Sequence, residues 1–166
     1  MKAHYKKAFT HPIYFVAFGF GSGLFPKAPG TFGTIAAIPL YLLLAELDPL
    51  RYAGAVGVAL VAGIFICGWV ALDMKAKDPA AIVWDEFVGL WIALFMIPAG
   101  WYWLMAGFLL FRFFDILKPW PVSFFDKKVA GGLGIMMDDV AAGLYSLLLL
   151  QLAAYGIATY GIRVAL

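Results

Sequence analysis

Residues 52–72 read YAGAVGVALVAGIFICGWVAL, 21 consecutive positions without an ionisable side chain. At a helical rise of about 1.5 Å per residue, such a stretch crosses the ~30 Å hydrocarbon core of a bilayer. The rest of the chain has the same character. Of its 166 residues 64% are hydrophobic and 13% charged, with a mean hydropathy of +0.92, against about 45–50% apolar and about 25% charged in a soluble domain. This composition excludes an ordinary water-soluble globule and predicts an all-α, polytopic helical membrane protein. A net charge of +2 with no basic face excludes a nucleic-acid binder, which needs a dense array of Lys and Arg against phosphates. The one cysteine, Cys67, lies inside the apolar run and is read as a packing residue.

Outward from this stretch, further apolar segments follow at Phe32–Leu47, Ile82–Ile97, Trp101–Leu117 and Val140–Tyr160, separated by turns at Pro49, Pro98 and Gly100. The expectation is about five transmembrane helices in a single domain over residues 1–166. Tyr14–Phe25 is too short to span and carries Gly19, Gly21 and Gly23, so it is expected as a re-entrant or interfacial segment. The basic Met1–Lys7 stretch leads into this glycine-broken segment rather than a cleavage site, so the N-terminus is expected to be retained. A single span over Phe87–Phe111 is the alternative to a hairpin broken at residues 98–100, and the Pro-Ala-Gly break favours the hairpin.

The hairpin makes a prediction. Glu86 lies 13 residues before Ala99 and Arg112 13 residues after it, so two antiparallel arms bring them to one depth, with Asp85 and Asp115 within about a turn. Asp73, Asp138, Asp139 and the loops carrying Lys75, Lys77, Asp78, Lys118, Asp126, Lys127 and Lys128 fall at the same end. With the N-terminus there too, that face collects Lys2, Lys6, Lys7, Lys27, Lys75, Lys77, Arg112, Lys118, Lys127 and Lys128 against Arg51 and Arg163 opposite. Ten cations against two predict a cytoplasmic location for the charged face. Trp101, Tyr102 and Trp103 are expected in the outer aromatic belt, and Trp84 and Trp120 in the inner one.

Ionisable groups near the hydrocarbon are costly unless paired, hydrated or ion-bound, which makes each a functional candidate. Asp85-Glu86 and Asp138-Asp139 are adjacent carboxylate pairs at two helix mouths, joined on the same face by Asp78 and Asp115. Like charges gathered in this way are relieved by a hard divalent cation, and Mg²⁺ takes carboxylate, water and phosphate oxygens. The bland alternative for Asp138 or Asp139 alone is a helix cap. Arg112, within the apolar run 108–114, needs a carboxylate or phosphate partner, whereas attraction to anionic headgroups accounts for Lys127 and Lys128. The glycine-rich segment from Gly19 to Gly33 can bring backbone N–H groups to an anion, with Thr31 and Thr34 adding hydroxyls, though close helix packing explains such glycines equally well. It lacks the Gly-Lys-Ser/Thr of a Walker loop. His4 and His11 stand far from the acids in sequence and are read as surface residues, leaving no histidine-based phosphatase. Cys67 has no activating basic loop, leaving no cysteine-based one. The Asp-Gly-x-x-Ala-Arg signature of CDP-alcohol phosphatidyltransferases is absent too.

Four ordered blocks sharpen this reading. Gly21-Ser-Gly-Leu-Phe-Pro-Lys-Ala-Pro-Gly-Thr31, Asp78-Pro followed by Ile82-Val-Trp-Asp-Glu-Phe-Val-Gly89, Phe111-Arg-Phe-Phe-Asp-Ile-Leu-Lys-Pro-Trp-Pro121, and Gly131-Gly-Leu-Gly-Ile-Met-Met-Asp-Asp-Val-Ala-Ala-Gly143 together resemble the phosphatidylglycerophosphatase A family. The resemblance implies a Mg²⁺-dependent bacterial membrane enzyme, and with the cation count above the expected location is the cytoplasmic (inner) membrane, its active site on the cytoplasmic face. Such an enzyme removes the terminal phosphate of phosphatidylglycerophosphate to give phosphatidylglycerol.

Taken with the residues themselves, this makes Asp85, Glu86, Asp138 and Asp139 the expected metal ligands or their close support. Asp78 and Asp115 are further ligands or the base, and Gly30, Thr31, Arg112 and Lys118 the phosphate contacts. The expected chemistry is direct attack by water activated by Mg²⁺, with an aspartyl-phosphate route as the alternative. Two rival readings remain: a phosphatase for another lipid phosphate, and a small transporter whose acids bind a passing cation. The transporter reading expects acids near the midplane, whereas here they gather at one end.

Overall fold

A computed structural model describes residues 7–160 and is helical throughout, with no strand among the described residues. Lys2, His4, Lys6 and Arg163, which enter the charge and histidine arguments above, lie outside the described residues. The elements are α1 (Pro12–Ala17), a 3₁₀ turn (Gly19–Leu24), α2 (Pro29–Leu44), α3 (Pro49–Asp73), α4 (Trp84–Ala93), α5 (Trp101–Leu117), α6 (Val122–Lys128) and α7 (Gly131–Tyr160).

Two helices, α3 with 25 residues and α7 with 30, are long and apolar enough to cross a membrane. The expected count of five is not reproduced. α2, at 16 residues, is shorter, and the segment expected over Ile82–Ile97 is helical only over the ten residues of α4, about 15 Å long. The reason is packing. Eight of the ten α4 residues are buried inside the bundle, so the apolar run that follows Asp85 and Glu86 reports a protein core rather than lipid. The last helix also begins earlier than residue 140. α7 starts at Gly131, and Asp138 and Asp139 stand in its third turn, which removes the helix-cap reading of either acid.

Local chemistry sets the ends. Asp48 caps α3 by accepting the Arg51 N–H at 3.1 Å ahead of Pro49. At the far end of α4, Gln151 Nε2 donates to the carbonyls of Phe95 (2.9 Å) and Met96 (3.1 Å), groups that the helix leaves unpaired. α4 is held from the other sides by Trp91 Nε1 donating to Ala37 O (3.1 Å), Tyr52 OH to Trp91 O (2.7 Å) and Trp84 Nε1 to Ala59 O (3.1 Å). Trp84, which also stacks on Phe87, is thus a packing residue and not a membrane-belt anchor. Trp120 and Trp101 are exposed, as a belt requires.

The crossing of α4 with α7 positions the acids. A Cβ on Gly143 would lie 2.5 Å from Gly89 O, and one on Gly89 would lie 2.9 Å from Asp139 O. Two glycines facing one another let the backbones touch, and Asp139 is thereby drawn beside the first turn of α4. The N-terminal segment is a short helix and a 3₁₀ turn whose Tyr14, Ala17 and Phe18 are fully buried, tied on by Val83 N–H donating to Ala17 O at 2.9 Å. His11, expected at the surface, stacks on Trp69 with ring centroids 5.2 Å apart.

Candidate active site

The α4–α5 hairpin forms as the spacing about Ala99 requires. Arg112 Nη1 lies 3.8 Å from Glu86 Oε1 and 2.6 Å from Asp115 Oδ2, all three side chains being largely buried. The Glu86 carboxylate belongs to a second grouping. One carboxylate oxygen each from Asp85, Glu86 and Asp139 lie within 4.8 Å of one another, and Asp85 Oδ1 and Glu86 Oε2 are buried without a hydrogen-bond partner. Buried carboxylate oxygens left unpaired are expensive. Three carboxylates that each bring one hard oxygen donor together, two of them also carrying an unsatisfied buried oxygen, fit a divalent cation such as Mg²⁺.

Gly30 closes the other side. A side chain there would run into Glu86 Oε1 and lie 3.1–3.2 Å from both terminal nitrogens of Arg112, so only a bare backbone fits. The turn before it is held by Ala28 in the left-handed region at φ 50° and by Phe25 stacked on Phe32, with centroids 3.8 Å apart. From the next turn of α2, the fully buried Thr34 donates its hydroxyl to Gly30 O at 2.8 Å, and Arg112 Nη1 lies 3.5 Å from the Thr34 hydroxyl oxygen. Arg112 Nε is buried with no partner. Arg112 thus has Nη1 engaged by Asp115 and its inner nitrogen unused.

The remaining expected residues stand one step away. Lys118, in the left-handed region at φ 47° just after α5, donates to Asp126 Oδ1 (2.7 Å) and Asp138 Oδ2 (2.8 Å). Burial alone would lower its pKa, but hydrogen bonds and attraction from these two carboxylates outweigh it and raise the ammonium above its ordinary value. Asp138 is therefore turned away from the three converging acids. Asp78 is exposed and lines a cavity of about 110 Å³ with Lys77, Asp126, Lys127 and Asp138. Of the six expected acids, the structure brings Asp85, Glu86 and Asp139 together, gives Asp115 to Arg112 and Asp138 to Lys118, and leaves Asp78 at the cavity wall. Thr31 is half-buried, and it is Thr34, one turn along, that meets Arg112.

The sequence places Lys77 and Asp126 in the charged loops but does not pair them. Lys77 Nζ donates to Asp126 O at 2.6 Å and so ties the loop before α4 to α6. Nothing local in the sequence pairs positions about 50 residues apart. Thr34, singled out with Thr31 in the sequence, lies four residues after Gly30 on one helix face, which is why its hydroxyl meets Gly30 O.

A helical bundle with three converging carboxylates, an arginine and a glycine backbone at one end could hold a cation beside an anion, which is the requirement of phosphoryl-transfer chemistry. The comparisons with known proteins agree. The model of the phosphatidylglycerophosphatase A family matches residues 15–154, and the chain belongs to that family, which places it among the phosphatases. It is similar to the phosphatidylglycerophosphatase A of Escherichia coli K12, with 46% identity over 138 residues, 82% of this chain and 80% of the relative. It is similar also to that of Haemophilus influenzae, with 42% identity over 152 residues, 90% and 93% of the two chains. A Bacteroides thetaiotaomicron protein named "Putative phosphatidylinositol-3-phosphatase" is 42% identical over 144 residues, 82% of this chain and 90% of its own length. No solved structure matches the chain.

Proposed function

We propose that the protein is a Mg²⁺-dependent lipid phosphatase that hydrolyses phosphatidylglycerophosphate to phosphatidylglycerol and inorganic phosphate, as a multi-pass protein with its site at the cytoplasmic face of the bacterial inner membrane. The observation that carries this reading is the convergence of Asp85, Glu86 and Asp139, with unsatisfied oxygens, beside an arginine seated on a glycine backbone. Family membership and the names of the two phosphatidylglycerophosphatase relatives support the substrate.

The Asp85, Glu86 and Asp139 carboxylates would hold the cation, with Asp138 supporting them through its neighbour. Bound there, Mg²⁺ supplies charge neutralisation for the phosphoryl oxygens and acidifies water. The chain's own groups do the rest. Arg112, its Nη1 fixed by Asp115, offers its remaining N–H groups to the phosphate. Gly30 lets the phosphate lie close to the backbone, and Lys118, with two of its three N–H groups in use, keeps the third for a phosphate oxygen. Water forms the new P–O bond as the bond to the glycerol oxygen breaks. A site carboxylate takes the water proton and passes it on to the departing glycerol oxygen, which leaves as the alcohol. The acyl chains stay in the bilayer, so only the headgroup reaches the polar end, near the exposed Trp120, Lys127 and Lys128.

The second reading, a phosphatase for another lipid phosphate, is favoured by the name of the Bacteroides relative. Phosphate release from phosphatidylglycerophosphate, phosphatidylinositol 3-phosphate and phosphatidate, compared at equal surface concentration in mixed micelles, separates the two. The proposal expects the highest kcat/KM for phosphatidylglycerophosphate, and a preference for the inositol lipid would overturn it.

A further inference from the structure

We propose that Thr34 is a positioning residue that aims Arg112 at the substrate's phosphate, a role that rests on the phosphatase reading above. The sequence offers Thr34 as a hydroxyl donor to an anion, and hydrogen-bond bookkeeping excludes that. A threonine hydroxyl has one proton and two lone pairs. The proton of Thr34 is committed to Gly30 O at 2.8 Å, so the oxygen can only accept from a second partner, and the group facing it is Arg112 Nη1 at 3.5 Å, a donor. Thr34 therefore sorts the two sides of the site. It takes up an Arg112 N–H on its lone pair and has no N–H or O–H to spare for phosphate.

The surroundings give this contact its effect. Arg112 Nη1 is held at once by Asp115 Oδ2 at 2.6 Å and by the Thr34 oxygen, two anchors from different helices. Two anchors on one nitrogen fix the plane of the guanidinium as well as its place. The Gly30 backbone lies against the same group, both terminal nitrogens being 3.1–3.2 Å from where a Cβ would stand. The buried Nε, without a partner, is left on the far edge of a planar fork whose orientation is thereby set. A planar two-point contact with phosphate is sensitive to that orientation. Thr34 is itself fully buried, so its hydroxyl is retained in a place where a methyl group of the same shape would pack without polar cost.

The test uses the full-length protein in mixed micelles with Mg²⁺, comparing wild type, Thr34→Val and Thr34→Ser. Valine keeps the shape and removes the oxygen, and serine keeps the oxygen. Thr34→Val is expected to raise KM for the lipid phosphate and the inhibition constant of inorganic phosphate together, by about five- to tenfold, as expected for one hydrogen-bonded coupling. Its kcat should stay within about threefold, and Thr34→Ser should restore both constants. In an Arg112→Lys background, Thr34→Val should change the inorganic phosphate constant less than twofold, because the group it orients is gone. Full additivity of the two changes, or a kcat loss with unchanged KM and phosphate inhibition, would overturn the proposal, as would a Thr34→Ser variant no better than Thr34→Val. A Thr34→Val protein that melts well below wild type with both constants unchanged would show a packing role only and would overturn it as well. Failure of the underlying reading looks different, since wild-type protein would then release no phosphate from any lipid phosphate and bind none.

Discussion

Glu86 Oε1 and Arg112 Nη1 face each other at 3.8 Å across the α4–α5 hairpin, although Glu86 opens one helix and Arg112 lies in the final turns of the next. The contact joins the two halves of the site, the carboxylates that would take a cation and the guanidinium that would take a phosphate. Gly30 stands where the two meet.

Gly30→Ala should therefore be the most damaging small substitution outside the acids. Its methyl group would enter the space of Glu86 Oε1 and press on both Arg112 nitrogens. Displacement of reacting groups by about 1 Å costs on the order of 10²-fold in rate. Steady-state phosphate release by the folded variant is expected to fall by about that factor, and near-wild-type turnover would remove Gly30 from the site.

Neutralising one acid of the cluster should separate stability from activity. Asp85, Glu86 and Asp139 crowd one another in the metal-free protein, so Asp139→Asn is expected to melt no lower than wild type in chelator. In Mg²⁺ the order reverses, because a cation binding only the folded state adds about 2.7 kcal/mol at a hundredfold excess over its Kd, and the variant loses that gain. Thermal melts of both proteins with Mg²⁺ and with chelator give the comparison. Equal Mg²⁺ shifts would move the cation elsewhere.

Much of this was legible in the sequence, and the parts that were not have physical causes. The hairpin followed from residue counting about Ala99, because helical rise is fixed. The number of spans did not follow, because the apolar run of α4 after Asp85 and Glu86 is enclosed by protein, and hydropathy measures transfer out of water without naming the destination. The division of the acids was half legible: helix geometry lets one member of each adjacent pair enter a shared site while the other turns elsewhere, without fixing which member. Asp138 and Asp139 are neighbours in sequence, yet one pairs with Lys118 and the other joins Asp85 and Glu86, since adjacent positions on a helix point about 100° apart. The Gly89–Gly143 contact that sets their depth is a long-range pairing with no local signature.

The Lys118 bridge predicts an asymmetry between its two partners. Lys118→Met leaves Asp138, largely buried, without its cation, and breaking such a pair costs about 3 kcal/mol or more. Asp126→Asn removes only the more exposed partner, at 31% side-chain exposure, and should cost about 1 kcal/mol or less. Denaturation midpoints in one detergent rank the two, and an equal loss would contradict the bridge as described.

Orientation is tested by the α6 segment. Lys128 is exposed, and in a protein whose other cysteine, Cys67, is buried, a Lys128→Cys variant should react with an impermeant maleimide only from the cytoplasmic side of sealed vesicles. Labelling from the opposite side would reverse the placement of the site.

The most direct measurement is inorganic phosphate release from phosphatidylglycerophosphate by the purified protein in micelles, with Mg²⁺ and with chelator, beside Asp139→Asn. The account predicts release by wild type with Mg²⁺, none with chelator, and a loss of at least about 10³-fold in the variant. Full activity in chelator, or an Asp139→Asn protein as fast as wild type, would contradict it.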